Sequence, residues 1–487
     1  MKKWMLLSIL SAWTVSLSAC GSAVNQPSPS VSSAADAAPA SQAEQLQNSE
    51  TVQTVIQLSD DKITVDGTPI STDAQSAVYT GAALIYYQAG QDESYGEGSE
   101  QDAHDPTEAA AHTVVTITQP GRYQVSGQLS AGQLAIDLGE DAKENPDAVV
   151  ELVLDGADIT CTAAPAVIFY NVWESQSTEQ AGAIVTLADG SVNRVNGSYV
   201  ARIYQPGTTK KLHKYDGAFY SKMSMLIQGE GALSIQAENE GLDSELHLTI
   251  NSGEISIISG DDGINTNEDG VSVTTINGGQ LYIRADQGSE GDGIDSNGSI
   301  VINGGTVVFT GNMYDAVSAD STQRFLALQF SDRQQDAVAI RNADDALVAA
   351  IAPSGSYGVL VYSSPALVDG DYTLYTAQEV SSDIAPVGGV LYTDEITLSG
   401  ESQLQTAGSS MGKRGGRPNR PPQEGERPQR PPEGQQPDKT RQPERSQEKQ
   451  PRPSDGTNPQ PADDLPASTT FSLSAQSQTF GGVGKAS

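Results

Sequence analysis

Acidic side chains and carboxamides recur at glycine-marked turns through the middle of this 487-residue chain. An acidic residue, a glycine and an apolar residue open four segments: Asp216-Gly217-Ala218, Glu240-Gly241-Leu242, Asp262-Gly263-Ile264 and Asp292-Gly293-Ile294. Asp315-Ala316-Val317 reads as a decayed fifth. The densest run places Asp261, Asp262, Asn265, Asn267 and Asp269 close together ahead of Gly270. Oxygen donors at this density suit a hard cation, because calcium takes about six to eight oxygens from carboxylates, amides and carbonyls.

The stretch Asn265-x-Asn267-x-Asp269-Gly270 resembles the opening of an EF-hand loop, but Asn stands first and Ile276 holds the place of the bidentate Glu. A complete EF-hand is therefore not expected. Stacked turns offer a better site. If successive segments lie over one another, Asp216, Glu240, Asp262 and Asp292 form a column of like charge about 5 Å apart. Asp243, Asn265, Asp295 and Asn297 stand beside it as further donors. Calcium between turns would make such a column stabilising. The alternative is that these residues only make Asx turns and polar ladders.

Other chemistry is thinly represented, and no catalytic residue is assigned. His104, His112, His213 and His247 have neither metal-ligand nor triad spacing. Gly408-Ser409-Ser410-Met411-Gly412 matches a nucleophile-elbow string, but it opens a Pro-rich tail rather than a strand-to-helix turn, so the match is chance. A lyase would need a Lys or Arg base beside the calcium, and only Lys222 and Arg284 lie within the clearest coils. Tyr220, Tyr282, Tyr314 and Trp173 are candidate sugar-stacking platforms. The parity of Tyr282 between Leu281 and Ile283 places it on an outer face.

The elements that position these residues are short strands. The repeat glycines are spaced by 24, 22 and 30 residues, and Ala316 follows Gly293 by 23. A second signature, Asn251-Ser252-Gly253, Asn277-Gly278-Gly279 and Asn303-Gly304-Gly305, precedes an alternating strand each time. A period in the twenties, with two strands and two turns per unit and no helical periodicity between 113 and 405, predicts an all-β, right-handed parallel β-helix, a solenoid. Its domain spans 54–407, with the clearest coils at 216–319. Residues 408–466 form a Pro/Arg/Gln-rich insert expected to be disordered. Residues 467–487 then carry a returning strand, and the fold needs no disulfide, since Cys161 is the only cysteine besides Cys20.

The formal charge is −35, from 27 basic and 62 acidic residues. That charge disfavours nucleic acid and anionic lipid surfaces, and an acidic polysaccharide could approach only through bridging cations. Residues 1–19 read as a signal peptide: Lys2 and Lys3 precede an apolar run, and Leu17-Ser18-Ala19-Cys20 resembles a lipobox. Cys20 is then lipidated, 20–53 is a flexible tether, and the protein is exported and lipid-anchored to the outer face of the bacterial cell membrane. The lipid is its only membrane contact, and a monomer is expected.

Several stretches in order resemble the bacterial carbohydrate-binding β-helix lipoproteins that recognise cellulose and acidic sugars. They are Gly121-Arg122-Tyr123-Gln124-Val125-Ser126-Gly127, Leu152 to Ile159, Leu187 to Asn193, Asp216 to Lys222 and the DGI repeats, followed by the Arg/Pro/Gly-rich insert. The resemblance implies a pectate-lyase-like fold with several calcium ions along the coils, and non-catalytic polysaccharide binding. Asp315-Ala316 and Glu240 depart from the Asp-Gly pattern at the ends of the column. A calcium-dependent polysaccharide lyase, or a structural spacer or adhesin, are the alternatives.

Overall fold

A computed structural model describes residues 53–285, 291–406, 468–475 and 478–486. The signal peptide, Cys20, nearly all of the tether and the 408–466 insert lie outside the described residues. What is described is nearly all β, with one short helix, Pro106–Ala110, and one 3₁₀ turn, Glu140–Glu144.

Between residues 113 and 311 the strands stack in parallel, each unit pairing with the next, apart from one inserted antiparallel hairpin, Val200–Tyr204 with Lys211–Tyr215. Gly217–Ser221, Glu240–Ser244, Ile264–Thr266 and Ile294–Ser296 form one continuous row of neighbours. Each unit then contributes two more strands. Leu248–Ile250 and Glu254–Ile258 lie beside Val273–Ile276 and Gln280–Arg284, which lie beside Ser299–Ile302 and Thr306–Gly311. Parallel strands bury their faces, so the sequence must repeat its apolar residues in register. Phe219, Leu242, Ile264 and Ile294 stack in one file. Leu233, Ile255, Leu281 and Val307 stack in another. All eight are buried in one continuous apolar core.

The Asn-Gly signature forms the corner between the second and third strands. Gly253, Gly279 and Gly305 have φ of 105°, 78° and 83°, the left-handed region that glycine enters without strain. Above them the asparagines bond to one another: Asn277 Nδ2 donates to Asn251 Oδ1 at 2.9 Å, and Asn303 Nδ2 to Asn277 Oδ1 at 3.0 Å. These three asparagines form a polar ladder apart from the acidic residues.

Parallel stacking stops at Thr306–Gly311. That strand pairs antiparallel with Tyr357–Ser363, which also pairs antiparallel with Phe325–Gln334. Residues 325–406, together with Thr470–Leu473 and Thr479–Lys485, form mainly antiparallel sheets around a second apolar core, with Thr479–Lys485 running parallel to Phe325–Gln334. The expected single repetitive domain through 407 therefore covers two architectures. The antiparallel part caps the open edge of the last parallel unit, which would otherwise offer unpaired backbone groups.

The close stacking leaves no room at the turn glycines. A Cβ on Gly263 would lie 2.1 Å from Ile283 Cγ2 and 2.6 Å from the carbonyl oxygen of Gly293. Gly263→Ala is expected to destabilise the fold by about 1–3 kcal/mol, whereas Gly139→Ala, with nothing within 4 Å, carries only the strain of its own backbone conformation. Urea denaturation of both variants checks the difference.

Candidate functional site

The acidic residues of the first row gather on one edge of the stack, in two clusters rather than one uniform column. In the first, Asp216, Glu240 and Asp243 each bring an oxygen within 4.8 Å of the others. In the second, Asp292, Asp295 and Asp315 do the same. Asn265 lies between them in the ladder, the register partner of Asp243 on one side and Asp295 on the other.

The register differs from the sequence spacing by one residue at the first unit. Gly217 pairs with Glu240, not Gly241, because Phe219 stacks over Leu242 to bury both. Tyr220 consequently holds the slot that Asp243, Asn265 and Asp295 occupy in later units. Gly217 has a second use here: a Cβ on it would lie 2.5 Å from Asp243 Cβ. The missing side chain is what lets Asp243 sit in the cluster. Beyond the fourth unit Met313, not Asp315, pairs with Asp292, so Asp315 reaches its cluster from two residues farther along.

The clusters are short of hydrogen-bond donors. Asn265 Nδ2 donates to Glu240 Oε1 at 2.9 Å, and Asn267 Nδ2 to Asp243 Oδ1 at 2.7 Å. The Ser296 amide donates to Asp315 Oδ2 at 3.2 Å. Glu240 Oε2, Asp243 Oδ2, Asn265 Oδ1 and Asp292 Oδ1 are buried with no partner, four of the seven such side-chain atoms among the described residues. All four are acceptors. A buried acceptor without a donor costs roughly 1–3 kcal/mol, so several on one edge call for a cation or for protons.

The ionisation behaviour follows. Burial, reinforced by Asp243 and Asp216, raises Glu240 well above the usual carboxylate range. Burial, reinforced by Asp216 and Glu245, does the same to Asp243. Burial also raises Asp216, against the pull of the Lys214 ammonium. Burial and neighbouring carboxylates push Asp292 up to about 8, and burial takes Asp262 to about 8 against the bond from the Asp292 amide. Asp295 is raised to about 7 by burial and by Asp315.

The remaining expected ligands are placed less centrally. Asp262 Oδ1 accepts the Asp292 amide at 2.6 Å, a bond between neighbouring units rather than an Asx turn. Asp261 is half-buried beside it, and its amide donates to the Asn239 carbonyl. Asp269 is exposed on the turn. Asn297, also exposed, donates from Nδ2 to the Asn267 carbonyl at 2.8 Å, bracing the two loops.

The aromatic candidates need correction. Tyr220 is 1% exposed, its ring packs on Tyr215 and its hydroxyl donates to Glu245, so it offers no stacking face. Tyr282 does point away from the first core, but the antiparallel part covers it to 3% exposure. It borders a recess of about 200 Å³ shared with Arg284, Val308, Ser354 and Gly388. Tyr314 is half-buried, its hydroxyl 3.3 Å from Thr479 Oγ1. Trp173 is half-buried and Lys222 exposed, while Arg284 donates to the carbonyl oxygen of Ser354 at 3.1 Å. Asp315 was legible only as a decayed repeat. Lys214, which pairs with Asp216, carried no sequence signal because it precedes the repeat.

Three comparisons bear on this site. A family model described as carbohydrate-binding domain-containing protein matches residues 111–355, which include both clusters. A carbohydrate-binding domain-containing protein of Acetivibrio thermocellus is 32% identical over 145 residues, 29% of this chain. The chain spans 44% of the length of that relative. A solved polysaccharide lyase-like protein from C. thermocellum, a gadolinium derivative, aligns at 21% identity and a TM-score of 0.32, covering 54% of this chain and 84% of that one. That likeness is too remote to carry structural detail across.

Carboxylates raised in the fold are stabilised as neutral acids. Their contribution is full below the unfolded value of about 4 and is lost as pH rises through the folded values, about 8 for Asp262 and Asp292. In excess chelator, thermal unfolding is therefore expected at a higher temperature at pH 5 than at pH 8.5. Asp292→Asn removes a carboxylate whose folded value is about 8 and which is mostly charged at pH 8.5, so it should stabilise the chelated protein at that pH by about 1–3 kcal/mol. An unchanged or lower midpoint would contradict the reading of these carboxylates as unneutralised.

Proposed function

The chain belongs to the family of carbohydrate-binding domain-containing proteins, and from that premise we propose that it is a calcium-loaded, non-catalytic binder of polysaccharide. In this reading the parallel rows close into a right-handed β-helix, and the protein works outside the cell on a lipid attached to Cys20. The observation that carries the calcium is the run of buried acceptors without donors: Glu240 Oε2, Asp243 Oδ2, Asn265 Oδ1 and Asp292 Oδ1.

The residues present fit calcium. Asp216, Glu240, Asp243 and Asn265 would hold one ion, and Asp292, Asp295 and Asp315 another. Hard oxygen donors, mostly charged and with no sulfur or imidazole among them, are the set that calcium takes. Bound calcium would neutralise the carboxylates and offer coordination positions to uronate or hydroxyl oxygens. The chain's own part is to hold the oxygens in register through the ladder and to orient them through Asn265 and Asn267. With a net charge of −35, it repels acidic glycan unless cations intervene, which favours calcium bridging for uronates.

A polysaccharide lyase is the second reading, and Lys214 beside the first cluster is the observation that favours it. Burial alone would lower Lys214, but Asp216, Glu240 and Asp243 hold its pKa above the ordinary lysine value. A base must shed its proton near neutral pH, so this lysine is badly tuned for proton abstraction. No lysine or arginine contacts the second cluster among the described residues. Non-catalytic binding is therefore preferred.

The test is retention on cellulose, pectate and chitin beads, with calcium and with chelator. Retention on at least one glycan is expected in calcium, with retention on pectate lost in chelator. Glu240→Gln with Asp243→Asn should weaken pectate retention at least tenfold. A chain lacking residues 408–466 should bind as the full chain does. Retention on none of the three glycans overturns the binding reading, and unsaturated product absorbing in the ultraviolet after incubation with pectate overturns the non-catalytic one.

A further inference from the structure

The two acidic clusters are alike in composition but not in what stands over them. The first is roofed by a hairpin, Val200–Tyr204 with Lys211–Tyr215, inserted just before Asp216. The hairpin is anchored on several sides. Tyr215 packs between Tyr170 and Tyr220, with ring centroids 5.5 and 5.1 Å away. Arg202 Nη1 and the Tyr204 hydroxyl both donate to Glu97 Oε1, at 3.0 and 2.8 Å. Lys211 Nζ lies 3.4 Å from Glu245.

These anchors aim Lys214, two residues before Asp216, back at the cluster. Its ammonium pairs with Asp216 Oδ2. The Asp216 side chain is 12% exposed and that of Lys214 37%. One charge is thus sunk in the site while the other retains a path to solvent. The second cluster has no such partner: among the described residues Asp295 and Asp315 meet the Ser296 amide and one another.

From this contrast, and resting on the calcium reading above, we infer that Lys214 is a tethered counter-ion that competes with the divalent cation for the first cluster and sets its affinity below that of the second. An ammonium and a calcium ion need the same Asp216 oxygen. The lysine is part of the chain, so its local concentration is high whatever the solution holds. It carries one charge against three carboxylates, so it neutralises the cluster only in part and leaves Glu240 Oε2 and Asp243 Oδ2 without partners. A divalent ion can therefore displace it, at the cost of breaking the Lys214–Asp216 pair. Displacement frees the ammonium on the exposed side of the hairpin. The two clusters would then fill at different calcium concentrations, the second first.

Calcium titration of the full, chelator-stripped chain by calorimetry tests this, in an Asp295→Asn background that silences the second cluster. Lys214→Met is expected to tighten calcium binding at the first cluster about fivefold, the upper end of what one partly screened ion pair contributes. Lys214→Arg, which keeps the charge, should stay within about twofold of the parent, and it also guards against a folding defect in the Met variant. In the chain with both clusters intact, Lys214→Met should raise the weaker affinity and leave the stronger one unchanged. Unchanged or weaker binding in Lys214→Met, with thermal unfolding still cooperative, would overturn the inference while leaving the calcium reading in place. No uptake at the second cluster in the parent chain would overturn the calcium reading and this inference together.

Discussion

Everything at the candidate site depends on parallel register. Once Leu242, Ile264 and Ile294 stack to bury their side chains, the residues after them must stack too. Asp243, Asn265 and Asp295 follow one after another with no freedom to move apart. The apolar file is worth roughly 1.5–3 kcal/mol for each fully buried side chain, more than mutual repulsion between partly separated carboxylates can undo. Hydrophobic stacking thus forces like charges together, and the acidic edge follows from the core.

The fold manages this by varying the edge from unit to unit. Tyr220 ends the row on one side, where a further carboxylate would have stood. Asn265 interrupts it in the middle with a neutral side chain that can both donate and accept. What remains is two carboxylate triads separated by a carboxamide, an arrangement that divides the charge into portions that one divalent ion each can largely neutralise. The asparagine corner shows the other solution: three carboxamides bond along the stack and need no ion.

Much of this was legible in the sequence, and the failures have physical causes. The Asp-Gly spacing gives the correct register from Gly241 to Gly293, because each turn has the same form there. It slips at Gly217 because register is chosen by what is buried: Phe219 over Leu242 outweighs glycine over glycine. Alternation places Tyr282 on the outer face but cannot reveal that a sheet folded from residues 325–406 covers that face. Lys214 stands outside the repeat, and Asp315 is displaced by two residues from the expected turn. Periodicity identifies residues that recur and is blind to those that arrive from an insertion.

The central claim is that the buried acceptors are completed by divalent ions rather than by protons. Anomalous scattering from crystals grown in calcium tests it directly. The account predicts a peak bounded by Asp216, Glu240, Asp243 and Asn265, and another bounded by Asp292, Asp295 and Asp315. Crystals at neutral pH with no anomalous peak at either cluster, and with carboxylates hydrogen-bonded to one another as neutral acids, would contradict it.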